Sequence, residues 1–339
     1  MSEYACNASE KPVASDGRQE SARLSAVPAG CVQNPTLAST PLVTVVTPSY
    51  NQGRFIEQAI LSVLDQDYPA IEYLVMDGGS SDQTLDVLRK YSKRLAFVSE
   101  KDRGQAHAVN KGFRRASGEI LAFLNSDDKY LPGAVSAAVK GLQAQPDAPF
   151  LYGEAYHIDE DGRILDRYPT EPFSCSRLAD TCFICQPTVF IRKGALDEAG
   201  YLDETLNYCL DYELWIRLSR LAEPVYLTRY LANSRLHKTT KTFGQKRQVH
   251  WEIARMLKRL NGRVPTTWTF GLALVILETR LCLDRTKPIQ NAVFILALST
   301  LSTWLCLYLN QRIRREERQQ IRHWVGLVIK GAGKAILKA

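Results

Sequence analysis

The sequence predicts an α/β protein: a mostly parallel sheet with helices on both faces, plus a C-terminal helical, membrane-associating appendage. Three observations carry this expectation. β-rich runs alternate with segments of helical periodicity between residues 42 and 124. Two long apolar segments begin at Trp268, and all the excess positive charge lies beyond residue 263. The chain has 339 residues, 45% apolar and 23% charged, which is ordinary globular usage and enough for about two domains.

The first 40 residues mix Ser, Ala, Pro and charges without periodicity or a signal-like apolar run, and they read as a flexible arm. Leu42–Thr47 is the first predicted strand, ended by Pro48, and Phe55–Val63 carries apolar residues at helical spacing. The alternation continues with strand Ile71–Met76, helix Thr84–Tyr91, strand Leu95–Val98, helix Ala106–Ala116 and strand Ile120–Leu124. Ligands bind such sheets outside the carboxyl ends of the strands, so the site is expected in the loops there. A helix near Pro132–Gln143, strands Phe150–His157 and Cys182–Ile191, and a helix Tyr212–Leu221 complete a second half.

Residues 1–263 carry 32 Lys and Arg against 32 Asp and Glu, whereas residues 264–339 carry 11 against 4. A neutral main body argues against nucleic acid as the principal partner, because phosphate recognition needs clustered cations on the recognising domain. An anionic membrane surface suits the tail. Eight cysteines in a long chain without a signal-like segment imply a reducing compartment rather than a disulfide framework. Cys182 and Cys185 form a CxxC, but the second closely spaced pair of a structural zinc site is missing.

Four loops carry chemistry. Pro48-Ser-Tyr50-Asn51 and Asp77-Gly-Gly-Ser-Ser-Asp82 come after the first two strands and offer an aromatic face, a carboxylate and glycines that admit a ligand to the backbone. Glu100 to Gly112, with Arg103, mixes charges with a helix start and suits a polar ligand. The strongest signal is Phe123-Leu-Asn125-Ser-Asp127-Asp128, an apolar strand running straight into two carboxylates. Carboxylates together with substrate phosphates are the usual ligands of Mg²⁺ or Mn²⁺. Leu210-Asp211-Tyr-Glu213 opens a helix with two acids two apart, which cannot share a helical face, so Asp211 is expected to point into the site with Glu213 supporting it. His237, after a strand, is a candidate phosphate or metal contact.

Over roughly residues 41 to 240 the sequence resembles the family 2 glycosyltransferases of the GT-A fold. The resemblance rests on Val-Thr-Pro-Ser-Tyr-Asn-Gln, Met-Asp-Gly-Gly-Ser-Ser-Asp, Asn-Lys-Gly followed by Ala-Ser-Gly-Glu-Ile, Phe-Leu-Asn-Ser-Asp-Asp, and Cys-Gln186-Pro leading to Leu-Asp-Tyr-Glu-Leu-Trp. It implies an inverting transfer of sugar from a nucleoside diphosphate sugar to a carbohydrate or lipid-linked acceptor, helped by a divalent metal. Asp77 would contact the nucleobase, alongside Pro48, Tyr50, Asn51 and Arg103 on the donor side. Asn125-Ser126-Asp127 would stand at the DxD metal motif and Asp211 would be the general base; His237, singled out by its place after a strand rather than by the resemblance, is the candidate second metal ligand. Gln186 and Glu213 fall on the acceptor side. The first DxD position is Asn125, which puts metal binding chiefly on Asp127 and leaves Asn125 to ribose or sugar. On this reading residues 41–263 form the catalytic domain, with a nucleotide-sugar half to about 130 and an acceptor half to about 240. Residues 264–339 form the membrane-associated region.

Two other classes are weighed. A non-catalytic nucleotide-sugar-binding scaffold would not need Asp77, Asp127, Asp128 and Asp211 intact. A nucleotidyltransferase would want a Gly-rich, basic loop after the first strand, which Pro48 to Gln52 is not. In the tail, Ile289 to Gln311 is uncharged and long enough to cross a bilayer core, while Trp268 to Leu283 contains Glu278 and Arg280. Beyond Gln311 eight cations oppose Glu316 and Glu317, with Ile321, Trp324, Val325 and Val328 at helical spacing, the pattern of a basic interfacial helix. Sugar nucleotides and a basic tail both favour the cytoplasmic side, so a peripheral or hairpin attachment at the cytoplasmic face of the cell membrane is expected.

Overall fold

Strand β1 (Val43–Ser49) is buried along its whole length, as a central strand covered on both faces must be. It pairs in parallel with β2 (Ile71–Asp77) and β4 (Ile120–Phe123), and β2 pairs in parallel with β3 (Ala96–Ser99). The full order is β3-β2-β1-β4-β8-β6-β9-β5, with β5 Lys129–Tyr130, β6 Phe150–Ile158, β8 Phe190–Arg192 and β9 Val225–Arg235; β7 (Ile164–Arg167) hangs on β6. β8 runs antiparallel to β4 and β6, and β9 runs parallel to β6. The parallel ladder is therefore the first four strands, and the second half makes the sheet mixed. The computed structural model describes residues 40–237, 245–281 and 283–329, all but Thr40 within one unit spanning Pro41–Ala339. The expected arm before Thr40, Cys282, the segment after His237 and the cations Lys330, Lys334 and Lys338 lie outside the described residues.

Alternation along β1 sends side chains to two cores. Val43 and Val45 pack with Ile56, Ile60 and Val63 of α1 (Ile56–Leu64), Leu88 of α2 (Thr84–Tyr91), and Val135 and Leu142 of α4 (Ala134–Ala144). Val46 packs on the other face with Val109 and Phe113 of α3 (Gln105–Arg115), Leu196 of α6 (Lys193–Ala199), Trp215 of α7 (Leu210–Leu218) and Leu257 of α8 (Lys246–Asn261). Cys175–Asp180 forms the short α5.

Two expectations are corrected. Pro48 does not end the first strand, which keeps register with Met76 and Asp77 through Pro48 and Ser49. Val46 O accepts from Leu124 N on the β4 side and Ser49 O from Gly78 N on the β2 side, so alternation turns Pro48 toward β4 beyond that strand's last residue. Its missing N–H costs no ladder bond. Cys182–Ile191 is not one strand either. A 3₁₀ turn at Gln186–Thr188, with Pro187 in its first turn, separates the preceding loop from β8.

The C-terminal helices are α9 (Thr266–Arg280), α10 (Pro288–Asn310) and α11 (Arg315–Ile329). Phe270, Leu274 and Leu277 of α9 pack with Phe294, Leu298 and Leu305 of α10 and Val328 of α11. The Trp268 ring lies 5.9 Å from Tyr212 and 5.7 Å from His250, which ties α9 to α7 and α8.

Candidate active site

At the carboxyl ends of β1 and β4 the loops enclose a cleft of about 440 Å³. Pro48, Tyr50, Asn125, Asp127, Gln186, Asp211 and His237, expected from sequence as site residues, all line it. Tyr50 is 62% exposed, so its ring is free to meet a planar ligand at the cleft. Gly78 permits the close approach behind that ring: a Cβ there would lie 2.7 Å from Asp102 Oδ2 and 3.3 Å from Tyr50 Cδ2.

The β4 loop is fastened from three sides. Asn125 Nδ2 donates to Gln186 Oε1 (3.0 Å) and Asp128 Oδ2 (3.2 Å), and its Oδ1 accepts from Gln105 Nε2 (2.7 Å). Gln186 Nε2 donates in turn to Phe123 O at 2.6 Å. The 3₁₀ turn that replaces the expected strand is what presents Gln186 to this network. Arg235, almost fully buried at the end of β9, donates its backbone N–H to Asp128 Oδ1 (2.8 Å) and its Nε to Asp127 O (2.8 Å). Burial and the neighbouring Asp127 carboxylate push Asp128 well above the usual carboxylate range. Asp128 therefore belongs to the wall, and Asp127 is the carboxylate turned to the cleft.

Asp127 Oδ2 stands 2.9 Å from His237 Nε2. Among the described residues no three His, Cys, Asp or Glu side chains converge to hold an ion by themselves. One carboxylate and one imidazole still fit Mg²⁺ or Mn²⁺ of the kind that takes most of its shell from substrate phosphates and water. The residues present are thus compatible with a cation delivered together with a diphosphate.

Asp211 lies in the first turn of α7, and its Oδ1 accepts from the Tyr212 N–H at 2.8 Å. Burial raises its pKa above the ordinary aspartate value, with that backbone hydrogen bond opposing. No side chain of α7 itself caps the helix. The cap comes from α8: Glu252 Oε2 accepts from Asn207 N (2.9 Å), and Oε1 accepts from Tyr208 N (2.6 Å) and Cys209 N (3.0 Å). This buried carboxylate satisfies donors at the helix start and favours the positive end of the helix dipole. Asn207, Tyr208, Leu210 and Asp211 all line the cleft, so Glu252 holds one side of it. Glu252→Gln, which loses the charge and one acceptor oxygen, is expected to lower kcat by about 10- to 100-fold while donor Kd stays within a few fold. Steady-state kinetics beside donor titration measure both.

Four expected site residues do not line the cleft. Asp77 is fully buried, its carboxylate accepting from Gly79 N (3.1 Å), Ser80 N (2.9 Å), Ser80 Oγ (2.5 Å) and Ser99 Oγ (2.5 Å). It shapes the loop behind Tyr50. Asn51, at φ 52°, accepts from Ser81 N (2.9 Å) while its own N–H donates to Ser80 Oγ (2.8 Å), joining the first two loops; Asn tolerates that left-handed backbone. Arg103 is exposed and paired with Glu204 at 2.5 Å. Glu213 is buried against Arg217, at 2.7 Å from Nη2, and near Arg259. The expected acceptor-side contact of Glu213 is therefore corrected: two positions past Asp211 on the helix, it faces the other way. Burial pushes the Cys182 and Cys185 thiols well up, which keeps them protonated.

Residues 44–200 match the profile of glycosyl transferase family 2. The putative teichuronic acid biosynthesis glycosyltransferase TuaG of Bacillus subtilis (strain 168) is 31% identical over 241 residues, 68% of this chain and 93% of that protein. S. aureus TarS 1-349 in complex with UDP-GlcNAc aligns with a TM-score of 0.54 at 19% identity, covering 86% of this chain and 92% of the other. The mannosyltransferase PcManGT from Pyrobaculum calidifontis in complex with GDP-Man and Mn²⁺ aligns with a TM-score of 0.54 at 17% identity, covering 79% and 88%. Fold and relatives together define a glycosyltransferase with a GT-A type sheet. The chain belongs to glycosyl transferase family 2.

Proposed function

We propose that this chain is an inverting hexosyltransferase that moves a sugar from a nucleoside diphosphate sugar to a hydroxyl of a carbohydrate or lipid-linked acceptor, in cell-surface polysaccharide or glycolipid assembly. The observation that carries the reading is the cleft itself, where Asp127, from the β4 loop, and Asp211, from the start of α7, share one cavity. The names of the relatives supply the class of donor and the setting, since they bind UDP-GlcNAc or GDP-Man or serve teichuronic acid biosynthesis. Pro48 and Tyr50 form the wall for the base, while Asp77 and Asn51 keep that wall in place. Asp127 and His237 would hold a divalent cation with the diphosphate. Such a cation, when bound, offsets the negative charge that builds on the leaving group.

Asp211 takes the proton of the acceptor hydroxyl as that oxygen attacks the anomeric carbon from the face opposite the diphosphate, an effect worth roughly 10² to 10⁴-fold. Its raised pKa makes it a stronger base than an exposed Asp. The base must be ionised to work, so kcat is expected to rise with pH through the folded-state pKa of Asp211. The acidic limb should lie at higher pH than an exposed Asp would give, and it should vanish in Asp211→Asn. A pH–rate profile of both proteins checks this.

The reaction is tested with a panel of labelled nucleoside diphosphate sugars, Mn²⁺ and acceptor, reading the anomeric configuration of the product by NMR. Retention, nucleotidyl transfer or binding without turnover each overturns the reading. The proposal also places the enzyme at the cytoplasmic face of the membrane. Support comes from the 23-residue helix α10, which contains an 18-residue window of mean hydropathy 2.0 and is followed by the cationic stretch. Recovery of intact protein in the soluble fraction at low salt would refute that placement.

A further inference from the structure

Helix α10 has no charged residue, and at 1.5 Å per residue its length of roughly 34 Å matches a hydrocarbon core. Length alone would let it cross a membrane, but its surroundings do not. One face, through Phe294, Leu298 and Leu305, is buried on α9. α9 is itself buried for most of its length and is joined to α7 and α8 through Trp268. The end of α10 is pinned as well. Asn310 accepts from Val264 N (2.8 Å) and donates to Val264 O (2.9 Å), in the turn between α8 and α9. Beside it Arg263 pairs with Glu317 of α11. A helix covered along one side by the catalytic body cannot be ringed by lipid.

The other face is open. Ile289, Val293, Leu296, Trp304, Leu307 and Tyr308, between 44% and 81% exposed, recur at helical spacing along nearly the whole of α10. Thr300, the aliphatic hydroxyl on this stripe, donates to Leu296 O of its own helix at 2.8 Å, which leaves the Tyr308 hydroxyl and the Trp304 indole N–H, both near the C-terminal end, as the side-chain polar groups there that reach for water or headgroups. Trp304 and Tyr308 stack with ring centroids 5.1 Å apart at the end that leads to the exposed Arg312, Arg314, Arg315, Arg318 and Arg322. Aromatic rings next to cations are what a headgroup boundary selects. The same five arginines would repel a second copy packed on this face.

We infer that α10 lies in the plane of an anionic bilayer surface, with the Ile289 to Tyr308 stripe sunk at the headgroup boundary, and does not span the membrane. The catalytic cleft then rides at a fixed height above the leaflet, which selects acceptors whose reacting hydroxyl stands at that height. The inference rests on the proposed membrane-side role. Its readout is depth in vesicles, independent of sugar transfer, so the two can fail separately.

The full chain is mixed with phosphatidylcholine vesicles containing phosphatidylglycerol, made with lipids brominated at shallow or deep acyl positions, and tryptophan quenching is read. The chain has five tryptophans, so Trp304 is read as the quenching lost between the native chain and Trp304→Phe, and each introduced tryptophan as the quenching gained over that variant. Ile289→Trp and Thr300→Trp report in a Trp304→Phe background. In-plane attachment gives all three the same preference for shallow bromines. A span would bury the residue at 300 roughly 16 Å deeper than that at 289 and give it the deep-bromine preference, which overturns the inference. Leu296→Glu, on the open face, is expected to lower the vesicle-bound fraction at least about tenfold with unchanged thermal unfolding and unchanged transfer to a water-soluble acceptor. Equal binding to vesicles of phosphatidylcholine alone, or no quenching together with dimerisation in sedimentation, also overturns it.

Discussion

Asp211→Asn is expected to lower kcat by about 10² or more, with donor Kd within a few fold of wild type. The carboxylate is placed by backbone geometry, through the Tyr212 N–H and the loop that Glu252 clamps, and Asn can keep the Tyr212 contact. Only the ability to take a proton is lost. Kinetics on both proteins, with donor titration followed by thermal unfolding, separate the terms. Collapse of donor binding would move Asp211 from the acceptor side to the donor side and remove it as the base.

Asp127→Asn is expected to reduce turnover by about 10³-fold, since stabilising a developing diphosphate charge is worth several kcal/mol. Asn can still hydrogen-bond His237, and the Arg235 contacts to this loop use the Asp127 carbonyl and Asp128, so the fold should survive. In wild type, protection of the protein by donor should depend on Mn²⁺ and disappear in excess chelator; in the variant it should be weak with or without the ion. Full wild-type activity in chelator would remove the metal from the reading altogether.

Much of this site was legible as pattern. Leu42–Thr47 and Ile120–Leu124 read as strands from their β-rich, apolar composition, and the structure has β1 at Val43–Ser49 and β4 at Ile120–Phe123, both buried throughout as a parallel ladder covered on both faces requires. The residues where these strands give way to loops, Pro48 to Asn51 and Asn125 to Asp128, stand at the sheet's carboxyl edge. Helical spacing left only one of Asp211 and Glu213 to face the site, and the place of Asp211 at the loop-to-helix junction selected it. Glu252 left a signal that was not used: an acid on the apolar face of α8, between Val249 and Met256 at helical spacing, needs buried donors. Its partners, at Asn207 to Cys209, lie more than forty residues away, and no local pattern names them. The same holds for Arg235, whose partners come from the β4 loop, the turn after β6 and α1.

By itself the sequence determined the α/β class, the family, and which loops carry the chemistry, because hydrophobic periodicity and the position of a loop after a strand are local properties. Tertiary structure alone decided which of those side chains face the cleft. Asp77 ends β2 and Asp127 follows β4 by four residues, yet three donors of its own loop and Ser99 Oγ at the end of β3 enclose the first, while only the wall-building neighbours of the second are enclosed. It also decided what α10 can do. Composition makes it a candidate span, but a helix has two sides, and only packing on α9 shows that one of them is already taken.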